Sequence, residues 1–213
     1  LQQEMEKGLA TLAGAPYSPR PVTFHLPDFI DIVLNAGEDR SPLGATIGQS
    51  LPNWGPVANE GRGRTVAMSN LYIDPDSRAT RRQGAESLFD AATLVHHSGE
   101  PAPGLLNTIL HEAAHNLGPS HEYRVGGKTD REIFGGPLAS TLEELKAQTG
   151  ALWLTEFLRS RGVIDEAFAR QVWVDAIIWA TGHIASGMYS GDDKTRPKPY
   201  SQLAAIHLGF LID

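Results

Sequence analysis

The stretch Leu105-Leu106-Asn107-Thr108-Ile109-Leu110-His111-Glu112-Ala113-Ala114-His115-Asn116-Leu117 is the segment around which this chain is organised. Its apolar residues recur three and four apart, which predicts a helix over 104–117. On that helix His111 and His115 stand four residues apart on one face, so both imidazoles can reach a single ion. Glu112, between them, can lie beside a further coordination position and take a proton from metal-bound water. Two histidines alone leave such a centre incomplete. A catalytic zinc site needs a third protein ligand and keeps its fourth position for water.

Two residues are candidates for that third ligand. His111 to His121 reads His-Glu-Ala-Ala-His-Asn-Leu-Gly-Pro-Ser-His, the metzincin spacing, in which Gly118 would turn the chain and return His121 to the metal. Ser186-Gly187-Met188-Tyr189 has the look of the methionine turn that accompanies that spacing. The other candidate is Glu144, in Thr141-Leu142-Glu143-Glu144-Leu145-Lys146-Ala147-Gln148. On a helix over 138–160, Leu138, Leu142, Leu145 and Leu152 supply a packing stripe. Glu144 shares its own face with Thr141, Gln148, Ala151 and Thr155, small or neutral residues that let a helix approach a metal. A carboxylate from a following helix is the gluzincin arrangement, two histidines and one glutamate plus water. Spacing leaves His121 and Glu144 even.

Outward from this segment, the chain reads as a strand-containing N-terminal third followed by helices. A helix is expected over 2–13, short strand pieces over 23–34, loop over 35–64 and a strand over 64–74, ended by Pro75. Further helices are expected over 79–97, 165–188 and 199–212. No internal repeat, low-complexity tract or obvious linker divides the 213 residues, so we expect one α+β domain over 1–213, with strand in 1–75 and helix in 76–213. His96 and His97 are expected at a helix C-terminus, and His183 and His207 as hydrogen-bonded core residues. Asp175 could orient a metal-bound imidazole or lie at the surface.

Composition narrows the chemistry. Lys+Arg 18 against Asp+Glu 25 gives a net charge of −7, which argues against a broad nucleic-acid or anionic-membrane surface. Cysteine is absent, which removes disulfides, thiolate zinc sites, iron–sulfur clusters and cysteine nucleophiles. Any metal is therefore held by His, Asp or Glu. No apolar run approaches the roughly 18 residues of a membrane span, and with no basic segment followed by an apolar run at its start no signal peptide is expected in this stretch. A cytoplasmic location is the default expectation. The chain begins with Leu1 rather than Met, so a processed product or an excised part of a longer protein is expected.

The helix sequence Ala139-Ser140-Thr141-Leu142-Glu143-Glu144-Leu145-Lys146-Ala147-Gln148 resembles the Glu-Glu-x-x-Ala-Glu helix of the dipeptidyl peptidase III family of zinc peptidases. Leu51-Pro52-Asn53-Trp54 and Gly63-Arg64-Thr65-Val66-Ala67-Met68-Ser69-Asn70 are similar to that family's Pro-Asn-Tyr segment and the strand ending in Gly-Asn along its peptide cleft. The likeness runs in islands over residues 45–212 and extends to the branch in which such a domain can follow a Nudix domain. It implies a mainly helical α+β fold with a zincin-like metal-binding core and a small N-terminal β portion. It further implies one Zn2+ held by His111, His115 and Glu144, with Glu112 as general base. By the same resemblance Asn53 and Asn70 would hold the backbone of a peptide or peptide-like substrate, and a neighbouring domain could lie in a longer chain. Tyr200 stands where the peptidases use a histidine near the transition state, so Tyr200 or His121 would steady the oxyanion or line the cleft. The sequence departs from the family in its five-residue His-Glu-x-x-His and in Gln148, where the family has an acid.

Overall fold

Residues 1–25, 27–33, 48–51, 55–59, 64–190 and 195–212 are described in a computed structural model. Helix α1 (Gln2–Ala13) is followed by strands β1 (Asp28–Ile30) and β2 (Gly48–Leu51), a one-turn helix α2 (Pro56–Asn59), strand β3 (Arg64–Met68) and a short helix α3 (Ser69–Ile73). Then come α4 (Pro75–Leu88), α5 (Ala91–Leu94), α6 (Pro101–His115), α7 (Asp130–Phe134), α8 (Gly136–Ser160) and α9 (Glu166–Ala185). A small hairpin of β4 (Tyr189–Ser190) and β5 (Arg196–Pro197) leads into α10 (Pro199–Ile212). The fold is α+β and mainly α. No helix among the described residues is long and apolar enough to cross a membrane.

Strand β3 lies at the centre of a three-stranded sheet, parallel to β1 (Asp28 opposite Val66) and antiparallel to β2 (Gly48 opposite Ala67). Its Ala67 and Met68 are buried, and both β2 and β3 pack on α6. The sheet therefore sets β2 directly beside the helix that carries the two histidines.

Helix α6 starts at Pro101, whose missing N–H costs nothing at a first-turn position. It packs most extensively on α8. Small residues allow the close approach: a Cβ added to Gly150 would stand 2.9 Å from Ala114 Cβ, and Ala147 and Ala151 are fully buried beside it. Met5 of α1, Leu110 of α6, Leu117 just beyond α6, and Leu154 and Leu158 of α8 complete this core. At 25 cal/mol per Å2 of apolar surface, each such leucine or methionine stabilises the fold by about 1.5–3 kcal/mol.

The turn after α6 is fastened on three sides. Glu6, fully buried on α1, accepts from Gly118 N (2.7 Å), the Tyr17 hydroxyl (2.6 Å) and Arg20 N (3.2 Å). The Arg20 guanidinium donates to Asn116 O (2.8 Å), and Lys146 Nζ donates to Leu117 O (3.3 Å) and Pro119 O (3.1 Å). These cations take up carbonyls that a helix C-terminus leaves without partners.

Several boundaries differ from expectation. The strand over 64–74 stops at Met68 and the chain continues as α3, because Val66, Met68 and Tyr72 satisfy a period of two and a strand-to-helix junction equally well. The helix over 79–97 is two helices. Asp74 caps the first by accepting from Ser77 N (2.8 Å), and Asp90 caps the second by accepting from Thr93 N (2.8 Å). Strand β2 and α2 lie inside the stretch read as loop, and β4–β5 puts strand into the part read as helical. Helix α7, closed by a Thr129/Glu132 capping box, had no counterpart in the expectation. On α8 the leucine stripe is buried only in part: Leu152 is buried and Leu138 half-exposed, while Thr141, Gln148, Ala151 and Thr155 are all buried.

Candidate metal centre

Helices α6 and α8 bring His111, His115 and Glu144 together, with one possible ligand atom from each lying within 4.8 Å of the others. His111 Nε2 is 3.2 Å from His115 Nε2 and 3.2 Å from Glu144 Oε2, and His115 Nε2 is 3.8 Å from that same oxygen. A tetrahedral zinc ion with bonds of about 2.0–2.1 Å sets its ligands about 3.3 Å apart. The triangle matches that size.

The far side of each imidazole is also engaged. His115 Nδ1 donates to Glu143 Oε1 (2.8 Å), and His111 Nδ1 donates to Gln148 Oε1 (3.1 Å). A carboxylate can only accept, so the Glu143 contact places the His115 proton on Nδ1. A ligating imidazole carries no proton on Nε2; in that state two lone pairs and a carboxylate oxygen converge on one point. This donor set suits a borderline divalent ion such as zinc.

Electrostatics couple the same groups to one another. Burial acts against a charged His111, but the Glu144 hydrogen bond, the Glu112 and Glu144 charges and Gln148 together outweigh it and raise His111. Burial also acts against an ionised Glu144, yet its hydrogen bond to His111, the imidazole charges and Tyr200 bring it below the usual range. Glu143 is likewise opposed by burial, but Lys146 (3.0 Å) and the His115 hydrogen bond hold it down at about 2. Burial, with Glu144 adding to it, pushes Glu112 up against the pull of the two histidines. A buried carboxyl with a raised pKa next to a metal position is placed to accept and return a proton.

Glu112 faces β2. A Cβ built on Gly48 would lie 3.1 Å from Glu112 Oε1 and 2.6 Å from Thr108 Cγ2, so only glycine lets the strand approach this closely. Thr108 in turn shares a short hydrogen bond with the Tyr72 hydroxyl.

Tyr200, at the start of α10, lies near Glu144, and burial followed by the Glu144 and Glu112 charges raises its hydroxyl pKa. Its ring packs near His183 (5.5 Å between centroids) and edge-on to Trp179 (6.2 Å). His121 is apart from the triangle: its Nδ1 is paired with Asp130 Oδ2 at 2.7 Å. Asn70 spends its side-chain amide on the backbone of Ile32, accepting from Ile32 N (3.1 Å) and donating to Ile32 O (2.8 Å). Asn53 lies outside the described residues. Asp175 packs against Gly104 and Tyr72, and both Nδ1 atoms that it could have oriented are held by Gln148 and Glu143. A shallow pocket lined by Tyr123, Phe134, Leu142, Glu143 and Lys146 includes none of the three converging residues.

The partners of the imidazoles, Glu143 and Gln148, add to the expected site. Gln148 has a sequence signal, since Glu144 and Gln148 repeat on α8 the four-residue spacing of His111 and His115 on α6. Glu6 and Gly48 carried no local signal.

No family model matches the chain. Among curated proteins, Nudix hydrolase 3 of Arabidopsis thaliana is 22% identical over 184 residues, which is 82% of this chain and 22% of that protein. Among solved structures, DPP III from Caldithrix abyssi matches with a TM-score of 0.64 at 20% identity, over 79% of this chain and 30% of that one. The chain thus spans less than a third of the length of either. The structural likeness shows a shared fold.

Proposed function

We propose that the chain is the metal-bearing core of a zinc-dependent hydrolase of dipeptidyl peptidase III type, acting on a peptide or peptide-like substrate. The observation that carries this reading is the convergence of His111 Nε2, His115 Nε2 and Glu144 Oε2 on one point, with Glu112 beside them. The fold shared with DPP III from Caldithrix abyssi and the likeness to a plant Nudix hydrolase support it. We further propose that the unit lies within a longer protein, as the lengths of both relatives suggest, and that this protein is cytoplasmic.

One zinc ion held by these three residues would supply Lewis-acid activation of a water molecule. Glu112 would accept a proton from the attacking water at its carboxylate and return it to the leaving amine. Tyr200, whose hydroxyl is protonated at any physiological pH, donates a hydrogen bond to the oxyanion that develops on the scissile carbonyl. Strand β2, an edge strand among the described residues and packed on α6, supplies backbone groups along which an extended substrate can lie.

Elemental analysis of the purified chain beside Glu144→Ala and His121→Ala variants tests the reading. One equivalent of zinc is expected in the wild type and in His121→Ala, and none in Glu144→Ala. Loss of metal in His121→Ala with retention in Glu144→Ala overturns it in favour of a metzincin-like endopeptidase site.

A further inference from the structure

The two imidazoles of the centre are held by different chemistry. His115 donates to a carboxylate, Glu143, itself paired with Lys146. His111 donates to a carboxamide, Gln148, which is 2% exposed. The Nε2 of that carboxamide is buried and has no partner among the described residues. A buried amide nitrogen without a partner carries a desolvation cost. This position therefore keeps a neutral amide at some expense, and the geometry around His111 gives the reason. Glu112, Glu143 and Glu144 bring three negative charges, Lys146 brings one positive charge, and the difference is balanced by one divalent ion. An acid at position 148 would break that balance.

We propose that Gln148 is the positioning residue of His111, and that its neutral amide makes the metal-loaded centre charge-balanced, holding its ion less tightly than a second carboxylate would. The inference rests on the reading that His111, His115 and Glu144 are ligands. Gln148 Oε1 fixes the proton on His111 Nδ1 and leaves Nε2 free to ligate. Because an amide draws less on that proton than a carboxylate does, His111 is the weaker donor of the pair. A bound ion would then be more electron-poor and a stronger Lewis acid.

The test is zinc stoichiometry and affinity, read by competition with a chromophoric chelator at one mildly alkaline pH, on the wild type, Gln148→Glu and Gln148→Met. Gln148→Glu is expected to bind zinc about 10-fold more tightly, and Gln148→Met about 10–100-fold more weakly. The metal-free Gln148→Glu chain is expected to melt at a lower temperature than metal-free wild type, since a fourth buried carboxylate joins the cluster. Tighter binding by a less stable apo-protein is the signature, because a merely structural residue would move both quantities down together. If Gln148→Glu folds poorly, the His111 Nδ1–H resonance of the zinc-loaded protein carries the same test by nitrogen NMR, and it is expected to shift or vanish in Gln148→Met. A wild type that binds one zinc, with variants of unchanged affinity or with both weakened in step with stability, overturns this inference alone. A wild type that takes up no zinc overturns the reading on which it rests.

Discussion

Gly48 on β2 and Glu112 on α6 are in contact so close that a single methyl group on Gly48 would lie 3.1 Å from Glu112 Oε1 and 2.6 Å from Thr108 Cγ2. The strand edge and the proposed general base are thereby a single structural element. Gly48→Ala is expected to destabilise the fold by about 1–3 kcal/mol and to lower turnover while leaving zinc content unchanged. Adding Thr108→Ser removes the methyl that meets the new Cβ and keeps the hydroxyl that bonds Tyr72, so part of the stability should return. Thermal melts of the single and double variants decide this; no recovery in the double variant rejects steric contact as the cause.

Glu112→Gln preserves the size of the side chain and removes its ability to take a proton. Peptide hydrolysis is expected to fall by a factor of about 100–10,000 with metal content intact. Unchanged hydrolysis would assign the proton transfer elsewhere. A chain in which neither protein shows hydrolysis, although both hold metal, is a zinc-binding module rather than an enzyme.

The Ala114–Gly150 contact sets how near α8 comes to α6. Gly150→Val is expected to cost about 1–3 kcal/mol and to weaken zinc binding, although it touches no ligand. Chelator competition and thermal melting on the same sample check both effects. Normal affinity in a destabilised variant would show that helix spacing does not control the centre.

The Glu143 carboxyl is held at about 2, below its ordinary value of 4.5. A depressed folded-state pKa contributes stability that is present above about 4.5 and is lost as pH falls towards 2. The metal-free protein is therefore expected to lose stability across that window, and Glu143→Gln should flatten the loss. Denaturant unfolding at a series of acidic pH values, followed by circular dichroism, measures it. An equally steep loss in Glu143→Gln would place the acid sensitivity in other carboxyls.

Much of the centre was legible because its parts are local. The four-residue spacing of His111 and His115 and the small or neutral face of Glu144 both follow from helical periodicity, and α8 buries that face, with Thr141, Gln148, Ala151 and Thr155 on it. Spacing left His121 and Glu144 even and the family resemblance favoured Glu144; tertiary packing sets Glu144 beside the two histidines and pairs His121 with Asp130. What escaped was decided at a distance or by a cap. Asn70 is taken up by Ile32, 38 residues earlier. The break between α4 and α5 depends on Asp90, whose capping competes with continuation of the helix. Strand β2 exists because β3 pairs with it, and its own residues, Gly48 to Leu51, have little strand preference.

The buried carboxylate of Glu6 ties residue 6 to the amide of Gly118, 112 positions along the chain. Loop closure over such a separation is slow relative to the growth of a helix. Helix α6 can therefore form early while the turn that follows His115 waits for α1 to dock. The centre also needs Glu144 of α8, which follows α6 in the chain, so a ribosome-bound chain would display His111 and His115 before it could hold their geometry. Zinc added during refolding should then speed only the last phase, leaving the early growth of helix untouched.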